Sequence, residues 1–291
     1  MSEYEYIAAI KAGFSLYGIE LDSRDDCGYP DSVADVVTTD SLVEGRHFCT
    51  QLDTMFEIGK QAAVVNLSDL ASSGARPTWL VWALSIPTHW NVEHLGQLAR
   101  GFASEAAQYD VAILGGNLSS IDGPAVINVT AAGARVGNRS LRRSDGQVGD
   151  TVYLSGVLGQ GSLGYREAND ENRRARHRWR PHINEGIELA QIDGINACMD
   201  VSDGLLIDAG RIASASKLCI SLSTHSIPVV GEPEHAIRGG EDYVLLFTAR
   251  PDADVPSWAH PIGHCIDGRG VLLDERQVAT SGFDHFEQES S

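Results

Sequence analysis

At 291 residues the chain is long enough for two modest domains or one large one, and 43% hydrophobic residues supply substantial cores. A formal net charge of −18, from 22 basic and 40 acidic side chains, excludes a broad nucleic-acid surface, which needs a basic face. Five scattered cysteines (Cys27, Cys49, Cys198, Cys219, Cys265) without a C-x-x-C pair argue against a zinc site and for a reduced, cytoplasmic chain.

The N-terminus has no basic region followed by an apolar stretch, and no apolar run is long enough to span a membrane, so neither leader nor membrane contact is expected. Residues 3–17 carry Tyr6, Ile7, Ile10, Phe14 and Tyr17 at helical spacing. An acidic turn with Asp25 and Asp26 follows. Residues 35–40 then read as a β-branched strand ending in Thr38, Thr39 and Asp40, with His47 beyond a Gly-containing turn. Two hydroxyls and a carboxylate at a strand end suit a hard cation such as Mg²⁺, or simply a capping cluster.

Residues 56–73 read as a long helix of small residues ending near Gly74. Asn66 and Asp69, three apart, share a face that is otherwise apolar, so Asp69 needs a partner: a cation or a hydrogen-bond network. Residues 79–86 look like a fully buried strand, 92–109 like a helix, and 111–114 like a short strand running into Gly115-Gly116-Asn117. Two glycines there allow a phosphate close to the backbone, or an ordinary tight turn. Residues 125–136 form a longer strand, and 137–150, rich in Gly, Ser and charge, mark the boundary between domains 1–137 and 138–291.

The second half restarts with a strand at 151–155. Gly159-Gln-Gly161-Ser-Leu-Gly164 matches G-x-G-x-x-G, but an arginine-rich loop, Arg173–Arg180, stands where a dinucleotide site needs an acid. The run ending in Asp200 reads as a strand, with Ser202 capping a helix to about Ser214. Asp200 and Asp203 thus crowd one strand–helix junction, where they repel unless a cation lies between them. Gly239-Gly240-Glu241-Asp242-Tyr243 opens a strand at 244–248, and the tail contains Gly282-Phe283-Asp284-His285-Phe286.

In order along almost the full chain, D-D-C, V-V-T-T-D-S-L-V-E-G-R-H-F, A-V-V-N-L-S-D-L-A-S-S-G-A-R-P, G-G-N, M-D-V-S-D-G-L, G-G-E-D-Y and G-F-D-H-F resemble the thiamine-monophosphate kinase family of the AIR synthase-like (PurM-like) superfamily. The resemblance implies a two-domain α/β fold, a homodimer formed through the N-terminal domain, and transfer of the ATP γ-phosphoryl to thiamine monophosphate. It also implies that Asp26, Thr38, Thr39, Asp40, Asp69, Asp200 and Asp203 hold several Mg²⁺ ions, with Asp40 and Asp203 the most critical. Gly116, Asn117, Arg143 and Ser202 would contact ATP, with Asn117 also facing a metal. His47, Glu241 and Phe283 would contact the acceptor, whose phosphate and ring would be met by the C-terminal domain. Neither a G-x-x-x-x-G-K-[ST] loop nor a protein-kinase signature is present, and clustered carboxylates holding Mg²⁺ can replace such cradles without a dedicated general base.

Departures stand beside the match. Asn117 replaces the family's metal-binding Asp, Arg24 precedes the acidic pair where Gly is usual, Trp179-Arg180-Pro181-His182 replaces P-x-P-R, and Val244 follows Tyr243 in place of an acid. These leave open a relative acting on another small phosphorylated or heteroaromatic metabolite, or a nucleotide-binding homologue without activity.

Overall fold

The computed structural model describes residues 35–166 and 179–280. The predicted helix at 3–17, Asp26, the run 173–178 and Phe283 lie outside them. The first sheet has four strands in the order β1-β4-β2-β3, formed by β1 (Asp35–Val43), β2 (Ala75–Pro87), β3 (Ala112–Ile121) and β4 (Val126–Arg135). The pairs β1/β4 and β2/β4 are antiparallel, whereas β2/β3 is parallel and is joined by a crossover helix, α2 (Val92–Gln108).

Helix α1 (Met55–Ser72) lies on this sheet. Thr54 and Glu57 start it with a reciprocal capping box, satisfying two amides that the first turn leaves open. Most of its residues are buried, because α2, the sheet and the second half of the chain cover it on different sides. Small side chains allow this. A Cβ added at Gly101 would lie 1.8 Å from the Phe56 carbonyl oxygen, and one at Gly59 1.9 Å from that of Leu98, so the backbones of α1 and α2 touch. Trp82 of β2 stacks on Phe102 of α2 at 4.6 Å between ring centroids.

The second sheet has seven strands in the order β11-β10-β7-β9-β5-β8-β6. They are β5 (Thr151–Leu154), β6 (Ile195–Asp200), β7 (Cys219–Leu222), β8 (Leu245–Ala249), β9 (His260–Ile266), β10 (Gly270–Leu273) and β11 (Arg276–Val278). Short helices α3 (Gln160–Arg166), α4 (Ile183–Leu189) and α6 (Pro233–Arg238), with the longer α5 (Leu205–Ser216), complete this half. Buried Asp150 holds its near end together, accepting from Asn196 Nδ2 at 3.0 Å, Thr248 Oγ1 at 2.9 Å and the Gln147 amide at 2.9 Å. Among the described residues no helix is long and apolar enough to cross a membrane.

Four expected elements differ. β1 does not stop at Asp40 but pairs with β4 as far as Val43, so Thr38, Thr39 and Asp40 lie inside the strand rather than at its end. β2 is half-buried in alternation rather than fully buried, since α1 and α2 cover one face of the sheet only. β3 does not stop before Gly115 but continues to Ile121, absorbing an extra residue in a bulge opposite Leu80–Trp82. Gly116 is required there, because a Cβ would fall 2.2 Å from the Trp82 carbonyl oxygen. Ser202 does not cap the following helix: α5 begins at Leu205 behind Gly204, whose φ of 120° suits glycine.

Two outcomes test this packing. Gly101→Ala must push α2 off α1 and should cost about 1–3 kcal/mol in urea unfolding. Buried His182 shares a 2.8 Å hydrogen bond with Ser155, and burial, reinforced by the charge of Arg180, holds its pKa down to about 4 from 6.5. The fold therefore keeps the ring neutral. Its contribution is complete above pH 6.5 and lost as pH falls towards 4, by up to about 1.4 kcal/mol per unit. His182→Gln should flatten that part of a stability–pH curve, and an unchanged slope would remove His182 from it.

Candidate functional site along the seam between the two sheets

Strand alternation puts Thr38 and Asp40 of β1 on the face covered by α1, with Thr39 on the other face. Thr38 Oγ1 donates to Asp69 Oδ2 of α1 at 2.5 Å. One residue earlier on the helix, Ser68 Oγ donates to Asp200 Oδ2 at 2.6 Å, reaching the end of β6 in the second sheet. Two turns before that, seven residues from Ser68 and so on the same helix face, Gln61 Nε2 donates to Glu241 Oε1 at 3.1 Å and to the His47 carbonyl at 3.2 Å. Three polar side chains of one buried helix thus gather residues from both halves.

The electrostatics are those of a site short of positive charge. Burial, then the charges of Asp200 and Asp40, hold the Asp69 carboxyl well above the usual carboxylate range. Asp200, buried at the strand end, is also raised, chiefly by burial, while the Ser68 hydroxyl and Arg143 pull the other way. Asn66 is fully buried one turn from Asp69, and its Oδ1 has no hydrogen-bond partner among the described residues. Hard oxygen donors that raise one another's pKa fit a divalent cation, which relieves the repulsion. Among the described residues no three His, Cys, Asp or Glu side chains already share one coordination shell. The donors are suited to bridging by cations and do not form a closed cage.

The junction after β6 is ordered by a residue that the motifs did not single out. Asp208 Oδ2 accepts from the amides of Ser202, Asp203 and Gly204 at 3.2, 3.1 and 3.1 Å, and Oδ1 accepts from Arg211 Nη1 at 2.7 Å. Complete burial pushes its pKa up to about 7, against the pull of Arg211. Arg211 Nη2 lies 2.6 Å from Asp203 Oδ2. Glu241 and Tyr243 flank Asp242 with positive φ of 64° and 52°. Asp242 accepts from the Gly159 and Gly161 amides at 2.9 and 3.2 Å, and burial raises it to about 6. The G-x-G-x-x-G stretch therefore wraps an internal carboxylate. His47 Nδ1 accepts from the Val43 amide at 2.9 Å, which leaves Nε2 to carry the proton of the neutral ring.

The structure gathers Thr38, Asp40, Asp69, Asp200, Asp203, Ser202, Arg143, His47 and Glu241 along this seam. It does not bring the Thr39 hydroxyl to the carboxylates: Thr39 Oγ1 donates to the Val129 carbonyl at 2.9 Å and faces Thr130. Nor does it bring Gly116 and Asn117. Asp40 pairs with Val129, Val129 with Trp82 and Trp82 with Gly116, so Gly116 sits three strands away, roughly 14 Å at about 4.8 Å per strand. Asn117 is exposed on the β3 edge. Gln61, Ser68 and Asp208 were missed. A spacing of seven between polar residues in a small-residue helix was the available signal for the first two, and Asp208 carried none beyond lying in the first turn of α5.

Family models of AIR synthase related proteins match twice: the N-terminal domain over residues 24–135 and the C-terminal domain over residues 147–261. Thiamine-monophosphate kinase of Corynebacterium glutamicum is 33% identical, with 97% of this chain and 92% of that protein covered. The Rhodopirellula baltica enzyme of the same name is 30% identical over 86% and 80% of the two chains. Among solved structures, AaThiL complexed with AMPPCP and TMP superposes with a TM-score of 0.85 at 27% identity, covering 98% of this chain and 97% of that one. Hydrogenase maturation protein HypE of E. coli, at 20% identity and a TM-score of 0.69, shares the fold. The two-sheet α/β architecture is thus PurM-like, and the chain belongs to the thiamine-monophosphate kinase family.

Proposed function

We propose that the chain transfers the γ-phosphoryl group of ATP to the phosphate of thiamine monophosphate, giving thiamine diphosphate and ADP, with Mg²⁺ bound at the seam. The observation that carries this reading is the set of mutually repelling carboxylates, Asp40, Asp69 and Asp200, drawn from both halves of a chain in this family, with Asp69 and Asp200 held by the Thr38 and Ser68 hydroxyls of the first half. The acceptor is a phosphate oxygen that is already ionised, so positioning and charge neutralisation carry the chemistry and no general base is required.

Asp40, Asp69, Asp200 and Asp203, with Thr38 and Asp26, would hold the Mg²⁺ ions. Bound Mg²⁺ supplies charge neutralisation and alignment of the phosphate oxygens. The remaining roles fall to the chain. Asp208 fixes the Ser202–Gly204 turn and the direction of its amides. Gln61 holds Glu241 against the loop carrying His47, and these two, with Phe283, would contact the acceptor. Arg143 lies close enough to Asp200 to stabilise its charge and would meet ATP.

We place the domain division at 137/138, with the site along the join. We also assign a homodimer, in which a second copy supplies Gly116 and Asn117: within one chain they lie three strands from Asp40, on an edge that exposes Leu114 and Leu118. A cytoplasmic location follows from the nucleotide co-substrate and the reduced thiols.

A specific observation favours a second reading. Asn117 is neutral where the family has a metal-binding acid, so the site can serve an altered acceptor.

Purified protein with ATP, Mg²⁺ and thiamine monophosphate should yield thiamine diphosphate by chromatography. ATP binding without product would shift the reading to a different acceptor. Asp40→Asn should lower turnover on the order of 100-fold or more while thermal unfolding stays unchanged; near-normal turnover would remove Asp40 from the site. In a Mg²⁺ titration of turnover, Asn117→Asp should lower the half-saturating concentration, and an identical titration would exclude Asn117 from the metal shell.

A further inference from the structure

Arg211 places a guanidinium where the proposed chemistry calls for a cation. Its Nη2 is 2.6 Å from Asp203 Oδ2 and its Nη1 is 2.7 Å from Asp208 Oδ1, so one planar group bridges two carboxylates. The two carboxylates are not equivalent. Asp208 is 0% exposed, and its other oxygen is engaged by three amides, so it cannot turn away. The Asp203 side chain is 24% exposed at the edge of the seam, and among the described residues Arg211 is the partner of its carboxylate. The same guanidinium also stabilises the charge on Asp200. Asp203 and Asp208 therefore share one fixed guanidinium within a single strand–helix junction, and Asp200 feels it together with Arg143.

We propose that Arg211 is a positioning residue that acts as an internal stand-in cation: anchored on Asp208, it holds Asp203 until a divalent cation takes that carboxylate, so cation binding there is an exchange rather than an addition. The proposal rests on the reading of the seam as a Mg²⁺ site. Two consequences separate it from a purely structural salt bridge. Without Arg211 the junction should depend on added cation for its stability, since Asp203 and Asp208 would face each other uncompensated. The cation should also bind more tightly, because nothing competes for Asp203. A structural bridge predicts the loss of stability and no change in cation affinity.

The experiment is thermal unfolding of the full chain without nucleotide, as a function of Mg²⁺ alone, for wild type, Arg211→Met and Arg211→Lys. Arg211→Met should unfold earlier in EDTA, gain more from Mg²⁺ than wild type, and reach half its gain at a Mg²⁺ concentration lower by roughly 3-fold or more. Arg211→Lys keeps the charge but cannot bridge both carboxylates, so it should lie between them. A half-saturating concentration in Arg211→Met equal to or above that of wild type overturns the proposal. Should Arg211→Met fail to fold, Arg211→Lys decides: a downward shift supports the exchange and an unmoved value overturns it. Wild type that gains nothing from Mg²⁺ would instead overturn the metal reading of the seam, and the exchange with it.

Discussion

Everything in the site depends on one helix that is buried on nearly all sides and is nevertheless polar along one line. Ser68 of α1 reaches the end of β6 in the second sheet, Gln61 reaches the loop before β8, and Asp69 reaches back to β1. A buried donor left unpaired costs about 1–3 kcal/mol, so these bonds fix the two halves in one register far more strictly than apolar contact alone would. The small residues of α1 make this possible. They bring α2 close enough for backbone contact, and they leave room for a second layer on the other side.

The same geometry explains why the acids sit where they do. Two paired strands and a helix supply directions that do not fluctuate, so Asp40, Asp69 and Asp200 are held near one another against their own repulsion. Thr38, Ser68 and Arg143 offset part of that cost. A lone carboxylate so placed would simply take up a proton. A set of them spread across two sheets is better relieved by cations.

Much of this was legible in the residues. The motifs gave the family, the two-part α/β fold and the acidic junction after β6, where a predictable strand end meets an oxygen donor, although β1 carries its donors inside the strand. What the residues could not give was lateral distance. Thr39 and Asp40 are neighbours in sequence yet point to opposite faces, and Gly116 lies on the far edge of the sheet because β4 and β2 are inserted between β1 and β3. Gly115-Gly116 invited a phosphate reading, and the close pass of Trp82 gives Gly116 a reason to be glycine in any case. Ser202 had the right chemistry for a helix cap, but Asp208 reaches back across the turn and takes the three amides, so the helix starts later. Asp26 and Phe283 fall outside the described residues.

The bonds across the seam also bear on how small molecules come and go. Swinging the two sheets apart as rigid bodies would strip Ser68 from Asp200 and Gln61 from Glu241 together, exposing a carboxylate pair and two donors that water would have to reach through a closely packed core. At about 1–3 kcal/mol for each buried group left unpaired, such an opening costs several kcal/mol more than a movement confined to the rim. Rotamer changes and loop movements at the rim leave both bonds in place, and they run in nanoseconds to microseconds, so the frame favours that route for small molecules over a parting of the sheets.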